Sequence, residues 1–346
     1  MKIGILTSGG DTPGMNAVIR ACYMSAKRLG HELIGIKYAW QGLMEGITME
    51  IGDEIVESID LGGTILFSGR FNPYAHEGAI ERLKDSIKRI GLDAVIAIGG
   101  EDTLGVANKL YKDGVNIVGV PKTIDNDLAS TDYTFGFNTA YSIATEAMDK
   151  IKTTAKSHER VIVVEIMGRH AGWMTVYSGI ATGAHAILIP EYPISMEDLL
   201  KIIDRRYKNG NKWAVIAVSE GFGYSKEDDS LLQKDEFGHV LLEEKAIGKI
   251  IAELIHKRLG VPTRAISLGH VQRGGTPSPY DRVLCTRLGT HALELVDTNN
   301  FGKMAALRGT SIETVPLEDA VANLKVVDDE HWELARKLMD LDSLSF

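Results

Sequence analysis

The stretch Pro121-Lys122-Thr123-Ile124-Asp125-Asn126-Asp127 sets two carboxylates two residues apart, directly after an apolar run from Val115 to Val120. That run reads as a buried strand. A strand end carrying paired acids and a lysine suits the deprotonation of a hydroxyl beside a phosphate. Asp125 and Asp127 share one face if the chain stays extended there, but Asn126 has turn chemistry that competes with extension. A lone Asp-x-Asp is ordinarily an acidic turn. A second acidic strand end, Gly99-Gly100-Glu101-Asp102-Thr103, shifts the balance towards a site.

Two further groups of residues could handle anions. Thr7-Ser8-Gly9-Gly10-Asp11-Thr12-Pro13-Gly14-Met15-Asn16 joins a first strand to a first long helix. Glycines there permit close backbone approach, and amides at a helix start can cradle phosphate. The stretch lacks the Gly-Lys-Ser/Thr of a P-loop and the G-x-G-x-x-G of dinucleotide folds, so taken alone it is equally a tight turn. In the second half, Arg160, Met167-Gly168-Arg169, Glu220, Arg264 and the run Gly269-His270-Val271-Gln272-Arg273-Gly274-Gly275 cluster around strand ends. Guanidinium forks match phosphate oxygens, and a carboxylate such as Glu220 accepts from sugar hydroxyls. Any one of these arginines alone would be an ordinary solvated or paired surface residue.

The elements that must position them alternate. Short β-rich runs begin at Lys2, Glu32, Ala94, Val115, Val161, Ala186, Trp213 and Arg264; helical patterns begin at Met15, Glu77, Thr139, Ser195, Lys245 and Pro279. Such alternation predicts an α/β fold with mainly parallel sheets and ligands bound beyond the carboxyl ends of strands. With 346 residues, two lobes are expected. The boundary is placed at 137, with 1–137 as one lobe, 138–300 as the other, and a tail from about residue 300 that returns to the first. The polar stretch from Gly223 to His239 reads as a surface insertion or helical excursion.

Composition narrows the class. An apolar fraction of 44% and a charged fraction of 25% belong to an ordinary soluble protein. A net charge of -9 argues against non-specific nucleic-acid binding. Cys22 and Cys285 are too few and too far apart for a disulfide framework or a zinc site. The chain runs straight into Lys2-Ile3-Gly4-Ile5-Leu6 with no leader pattern, and no apolar stretch could span a bilayer, so a cytoplasmic protein is expected.

Together the motifs TSGGDTPGMNAVIR (7–20), SGRF (68–71), GGEDT (99–103), PKTIDND (121–127), MGRHAG (167–172) and GHVQRGG (269–275) resemble the 6-phosphofructokinase family, in its order. The resemblance implies two similar three-layer α/β/α lobes, an active site in the cleft between them, and phosphoryl transfer to the 1-hydroxyl of fructose 6-phosphate. Asp125 matches the family's base. Asp127 would orient the site or its Mg²⁺, and Glu101 matches a Mg²⁺-binding position where aspartate is frequent. Gly10, Asp102, Thr103 and Lys122 fall on the donor side, and Arg70 would contact the transferring group. Thr123, Asp125, Met167, Gly168, Arg169, Glu220, His270 and Arg273 would hold the sugar phosphate. Arg160 and Arg264 match residues that relatives supply from a neighbouring subunit, which implies a homo-oligomer, dimer or tetramer.

Two positions bear on the donor. Members that use ATP resemble GGDGS and PGTIDND, with glycine where Asp102 and Lys122 stand here. A carboxylate facing the α-phosphate of ATP at about 4 Å would oppose it by about 4 kcal/mol at an effective dielectric near 20. Lys122 adds a compact cation suited to pyrophosphate. The chain is therefore most like the pyrophosphate-dependent members, with ATP as the alternative donor. Arg20 and Lys152 match part of the family's effector site, but Met24 and Asn209-Gly210-Asn211-Lys212 depart from its basic pattern, so weak or absent control by ADP or phosphoenolpyruvate is expected.

Overall fold

The computed structural model describes residues 1–223, 236 and 246–339. Its elements are β1 (Lys2–Thr7), α1 (Met15–Leu29), β2 (Glu32–Ile36), α2 (Ala39–Glu45), β3 (Thr48–Glu50), α3 (Ala79–Ile90), β4 (Ala94–Gly99), α4 (Glu101–Lys112), β5 (Ile117–Thr123), β6 (Phe135–Gly136), α5 (Phe137–Ser157), β7 (Val161–Ile166), α6 (Trp173–Thr182), β8 (Ala186–Leu188), α7 (Met196–Lys208), β9 (Ala214–Ser219), α8 (Ile247–Leu259), β10 (Thr263–Ser267), α9 (Pro279–Asp297), β11 (Lys303–Arg308), β12 (Ser311–Pro316), α10 (Leu317–Ala320) and α11 (Asp329–Leu338). None of the described helices is long and apolar enough to cross a membrane.

The chain forms two compact units. The first takes Met1–Thr139 and Arg273–Leu324 together with Glu236; the second takes the described residues of 140–223, 246–272 and 325–339. The break at Thr139 falls two residues from the expected 137. The tail departs from expectation, because the return to the first unit begins at Arg273 rather than near 300, and the chain leaves again at Lys325. The cause is α9, whose Leu284, Cys285, Leu288, Ala292, Leu293 and Val296 pack in the same core as Val18, Ile19 and Cys22 of α1. The expected insertion from Gly223 to His239 lies almost wholly outside the described residues.

In the first unit the sheet runs β12-β11-β5-β4-β1-β2-β3, with β6 beside β5. It is parallel except where β12 meets β11 and β3 meets β2. Both of its faces are dry. Ile3, Ile5, Ile96 and Ile98 face the layer of α1 and α9, while Leu6, Val95 and Ala97 face Trp40, Leu43, Leu83 and Leu104 on the other side. A parallel strand buried on both faces must be apolar throughout, and Ala94–Gly99 is buried at every position.

In the second unit four parallel strands run β10-β7-β9-β8. Val164 pairs with Ala217 and Val163 with Ile216, so alternate residues address opposite faces. The Ala217 face meets Gly179 of α6, where a Cβ would already crowd Ile187 at 2.6 Å. The Val163 face meets Gly248 of α8. This unit is therefore also three-layered, with β10 an exposed edge strand.

Candidate active site

In the first unit the functional side chains leave the carboxyl ends of β1, β4 and β5. The loop after β1 is tied down by backbone bonds from Ser8 N to Ile98 O and from Gly9 N to Gly69 O, each 3.0 Å. Gly9 has φ 82, a left-handed conformation that a side chain would strain. Gly10 meets a different demand: a Cβ there would lie 2.6 Å from Arg273 Nη1. Arg273 also donates to Asp11 O at 3.3 Å. Lys122, on β5 and almost fully buried, donates from Nζ to Gly10 O at 2.6 Å. A lysine, an arginine and glycine backbone thus meet around Gly10, an arrangement suited to a polyanion.

Burial, and then the charges of Arg273 and Arg70, pull the Lys122 ammonium down to about 7 against the smaller opposite pull of Asp11 and Asp125. An ammonium so poised gains most when phosphate charge arrives beside it.

The turn after β5 explains why its acids do not simply alternate across a strand. Asn126 has φ 52 and is buried. Its Oδ1 accepts from Thr134 N at 3.0 Å, and Thr134 Oγ1 donates to Thr123 O at 2.7 Å. Asp125 N donates to Thr123 Oγ1 at 3.1 Å. The extended geometry in which the two acids share a face therefore gives way to an anchored turn. Asp125 Oδ1 is buried with no hydrogen-bond partner, an unspent acceptor. Burial, with the nearby charges of Asp125 and Glu101, pushes the Asp127 carboxyl up to about 7, partly offset by hydrogen bonds that include one from Thr123.

Glu101 and Asp102 occupy the first turn of α4, where their charge favours the helix start. Among the described residues, no three acidic, histidine or cysteine side chains converge tightly enough to enclose a metal by themselves. The donor set nevertheless fits Mg²⁺, which is commonly held by one or two carboxylates plus waters and substrate phosphates. Asp127, with the charges of Asp125 and Glu101 near it and an unpartnered oxygen on Asp125, belongs to such a set.

In the second unit the loop Met167–Gly172 follows β7. Met167 N donates to Gln272 Oε1 at 3.3 Å, and Gly168 N to Glu220 Oε1 at 3.4 Å. Gly168 has φ 136, and its carbonyl accepts from Gly221 N at 3.2 Å and from the Ser219 hydroxyl. Arg169 Nε is buried without a partner, a donor that an incoming oxyanion could engage. His270 is exposed in the turn Gly269–Arg273.

Not every candidate lands where expected. Arg160 precedes β7, and Arg264 pairs with Ile162 near its start. Both sit towards the amino end of the sheet: Arg160 is seven residues from Met167, and Ile162, the partner of Arg264, is five, a run of about 17 Å of strand. The rule that all motifs sit at carboxyl ends fails for these two. Thr123 belongs to the first unit and serves the Asp125 turn, and Arg273, also of the first unit, donates to the loop of Gly10.

Sequence reasoning missed three supporting residues. Gln272 is fully buried and holds Met167. Thr134 pins Asn126. Asp281, fully buried, accepts from Gly136 N at 3.1 Å and Thr139 N at 2.8 Å, holding the chain as it leaves β6. Ser278-Pro279 announced a helix start there, but nothing in the spacing named Asp281's distant partners.

Residues 2–296 match the phosphofructokinase family. The chain is 50% identical to the pyrophosphate--fructose 6-phosphate 1-phosphotransferase of Amycolatopsis methanolica, over 97% of this chain and 98% of that one. It is 47% identical to ATP-dependent 6-phosphofructokinase 3 of Streptomyces coelicolor, over 96% and 98%. In three dimensions it resembles the pyrophosphate-dependent phosphofructokinase of Marinobacter aquaeolei with a TM-score of 0.83 and 22% identity, covering 98% of this chain and 91% of that one, a likeness that shows the fold alone. The chain belongs to the phosphofructokinase family.

Proposed function

We propose that the chain transfers a phosphoryl group reversibly between pyrophosphate and the 1-hydroxyl of fructose 6-phosphate. The observation that carries this reading is the first unit's site. There Asp125 offers a buried, unpartnered carboxylate oxygen, and Lys122 stands on Gly10 O, ready to turn to a donor phosphate. Asp125 accepts the proton of the sugar hydroxyl as the new bond to phosphorus forms. Lys122, Gly10 and Arg70 meet the charge of the donor and of the transferring group, with Asp102 and Thr103 beside them at the start of α4. Positioning and charge neutralisation of this kind do most of the work in phosphoryl transfer. Glu101 and Asp127 would hold Mg²⁺, which when bound neutralises phosphate charge. Met167, Gly168, Arg169, Glu220 and His270 hold the sugar phosphate.

Arg160 and Arg264 stand too far along the sheet to join that loop within one chain, and this supports a homo-oligomer in which a neighbouring subunit supplies them. At two positions that match part of the family's effector site, each within its own unit, Arg20 Nε donates to Val56 O at 2.7 Å and Lys152 Nζ to Thr182 O at 2.7 Å. Both bonds support weak effector control, and a steep response to ADP or phosphoenolpyruvate in steady-state kinetics would count against it. A cytoplasmic site of action fits the reading.

ATP is the second reading. The observation favouring it is the stacked pair Tyr38–Phe67, 5.2 Å between centroids and both exposed, beside the Gly69 strap of the donor loop; a purine could stack there. The test measures fructose 1,6-bisphosphate formation with Mg²⁺ and either donor. Strong turnover with pyrophosphate and little with ATP is expected; the reverse order would replace the donor, and no product with either would remove the function.

A further inference from the structure

Glu191 lies beyond β8 in the second unit, outside every motif that the proposed chemistry uses. Its Oε1 accepts two backbone bonds, from Gly172 N at 2.8 Å and from Val327 N at 3.0 Å. Gly172 ends the Met167–Gly172 loop and precedes α6 with no side-chain cap of its own. Val327 belongs to the segment leading into α11. That segment is fastened at the same place: Trp173 Nε1 donates to Lys325 O at 3.1 Å, and the Lys325 ammonium lies 5.6 Å from the Trp173 ring centroid. Tyr192, next to Glu191, donates to Asp329 and stacks on Trp332 at 5.1 Å.

The second oxygen, Oε2, is buried with no partner. It lies 3.0 Å from where a Cβ on Gly172 would stand, so the loop backbone rests directly on the carboxyl. Burial pushes this carboxyl up, only partly offset by the two amides. An acid left half-satisfied in such a place is a cost that packing alone would not retain.

We propose that Glu191 is a positioning residue for the phosphosugar acceptor, holding the Met167–Gly172 loop in its binding geometry and tying that geometry to the docked C-terminal segment. The inference rests on the acceptor reading given above. Glu191 touches no reacting atom; it acts through the amide of Gly172.

The test compares Glu191→Ala, Glu191→Asp and Glu191→Gln in the full chain. Losing bonds to a charged acceptor predicts a rise in KM for fructose 6-phosphate of about tenfold to a hundredfold in Glu191→Ala. The KM for pyrophosphate should stay within about twofold of the parent, since one tenfold step already corresponds to 1.4 kcal/mol. Glu191→Gln keeps an oxygen for both amides and should restore most of the acceptor affinity. Glu191→Asp, too short to reach both, should fall between. An unchanged acceptor KM in a folded Glu191→Ala, or equal shifts in both KM values, would overturn the proposal, as would failure of Glu191→Gln to rescue. Calorimetric binding of fructose 6-phosphate reads the same loop without turnover. Absence of turnover in the parent would sink the functional reading, whereas an unchanged Kd in Glu191→Ala would sink this one.

Discussion

Lys122 Nζ donates to the carbonyl of Gly10 at 2.6 Å, so the strand-end lysine is bonded to the backbone of the glycine loop. The ammonium is drawn down to about 7 by burial and by Arg273 and Arg70. Because its ordinary value is higher, the unfolded chain binds the proton more tightly than the folded one. The folded state is therefore penalised below pH 7 and gains stability as pH rises from about 7 towards 10.5. Lys122→Met should raise the apo Tm at pH 7, with the gain shrinking by pH 10. Pyrophosphate should restore the charge, so binding at pH 8 takes up a proton. Calorimetry in buffers of different ionisation enthalpy measures that uptake, and a value of zero in the parent would contradict it.

Gly10→Ala tests the other contact of that loop. The new Cβ would meet Arg273 Nη1 at 2.6 Å, but the far end of a long side chain can move aside. The fold should survive with little change in Tm, while the displaced guanidinium weakens the donor site. The expected result is a KM for pyrophosphate raised about tenfold, equivalent to 1.4 kcal/mol. A raised KM for the sugar phosphate alone would return Arg273 to the acceptor role suggested by the sequence.

His185 supplies a pH test away from the chemistry. Its Nδ1 accepts from Val215 N at 2.9 Å, and the ring packs edge-on against Trp213. Burial, then Arg206, pulls it down to about 4. Its contribution to stability is complete above about pH 6.5 and is lost as pH falls towards 4. The loss is at most about 1.4 kcal/mol per pH unit for one proton. His185→Asn should flatten the urea-unfolding profile between pH 7 and 5; an unchanged slope would show that the ring titrates normally.

How much of this was legible in the residues depends on the range of the contact. β1, β2 and α1 are readable to the residue because local apolar period and glycine punctuation define them. The hairpin β11–β12 and the helices α2, α4, α6 and α11 were not anticipated, since their apolar faces are short and are completed by distant partners. Asp125 was legible as a candidate because its type and place carry chemistry. Its unpartnered oxygen was not, because that depends on Asn126 turning to Thr134, eight residues on. Arg160 and Arg264 look like neighbours of Arg169 in a list of strand ends. Only the register Arg264↔Ile162 reveals which end they occupy.

Asp125→Asn removes the base while keeping shape and volume. Turnover should fall by about a hundredfold to ten-thousandfold, the range for losing a general base. Binding of pyrophosphate and of fructose 6-phosphate, measured by calorimetry, should stay near parental values. The Asp127 carboxyl should then titrate lower, because one of the charges raising it is gone. A turnover loss of less than about tenfold would assign the proton to another acceptor, since a positioned base is worth far more.

The donor rests on Asp102 and Lys122, and the two act by different physics. Asp102 sits in the first turn of α4, so it repels a nucleotide only if that turn borders the α-phosphate. Lys122 is buried against Gly10 and stabilises whichever phosphate lies there. Asp102→Gly alone should therefore admit ATP without abolishing use of pyrophosphate, lowering the KM for ATP by up to about a thousandfold if the full repulsion of about 4 kcal/mol applies. Lys122→Gly alone should damage pyrophosphate turnover and leave ATP poor. The double variant should prefer ATP. If Asp102→Gly leaves the ratio of kcat/KM for the two donors unchanged, the carboxylate does not face the donor, and selection must lie with Lys122.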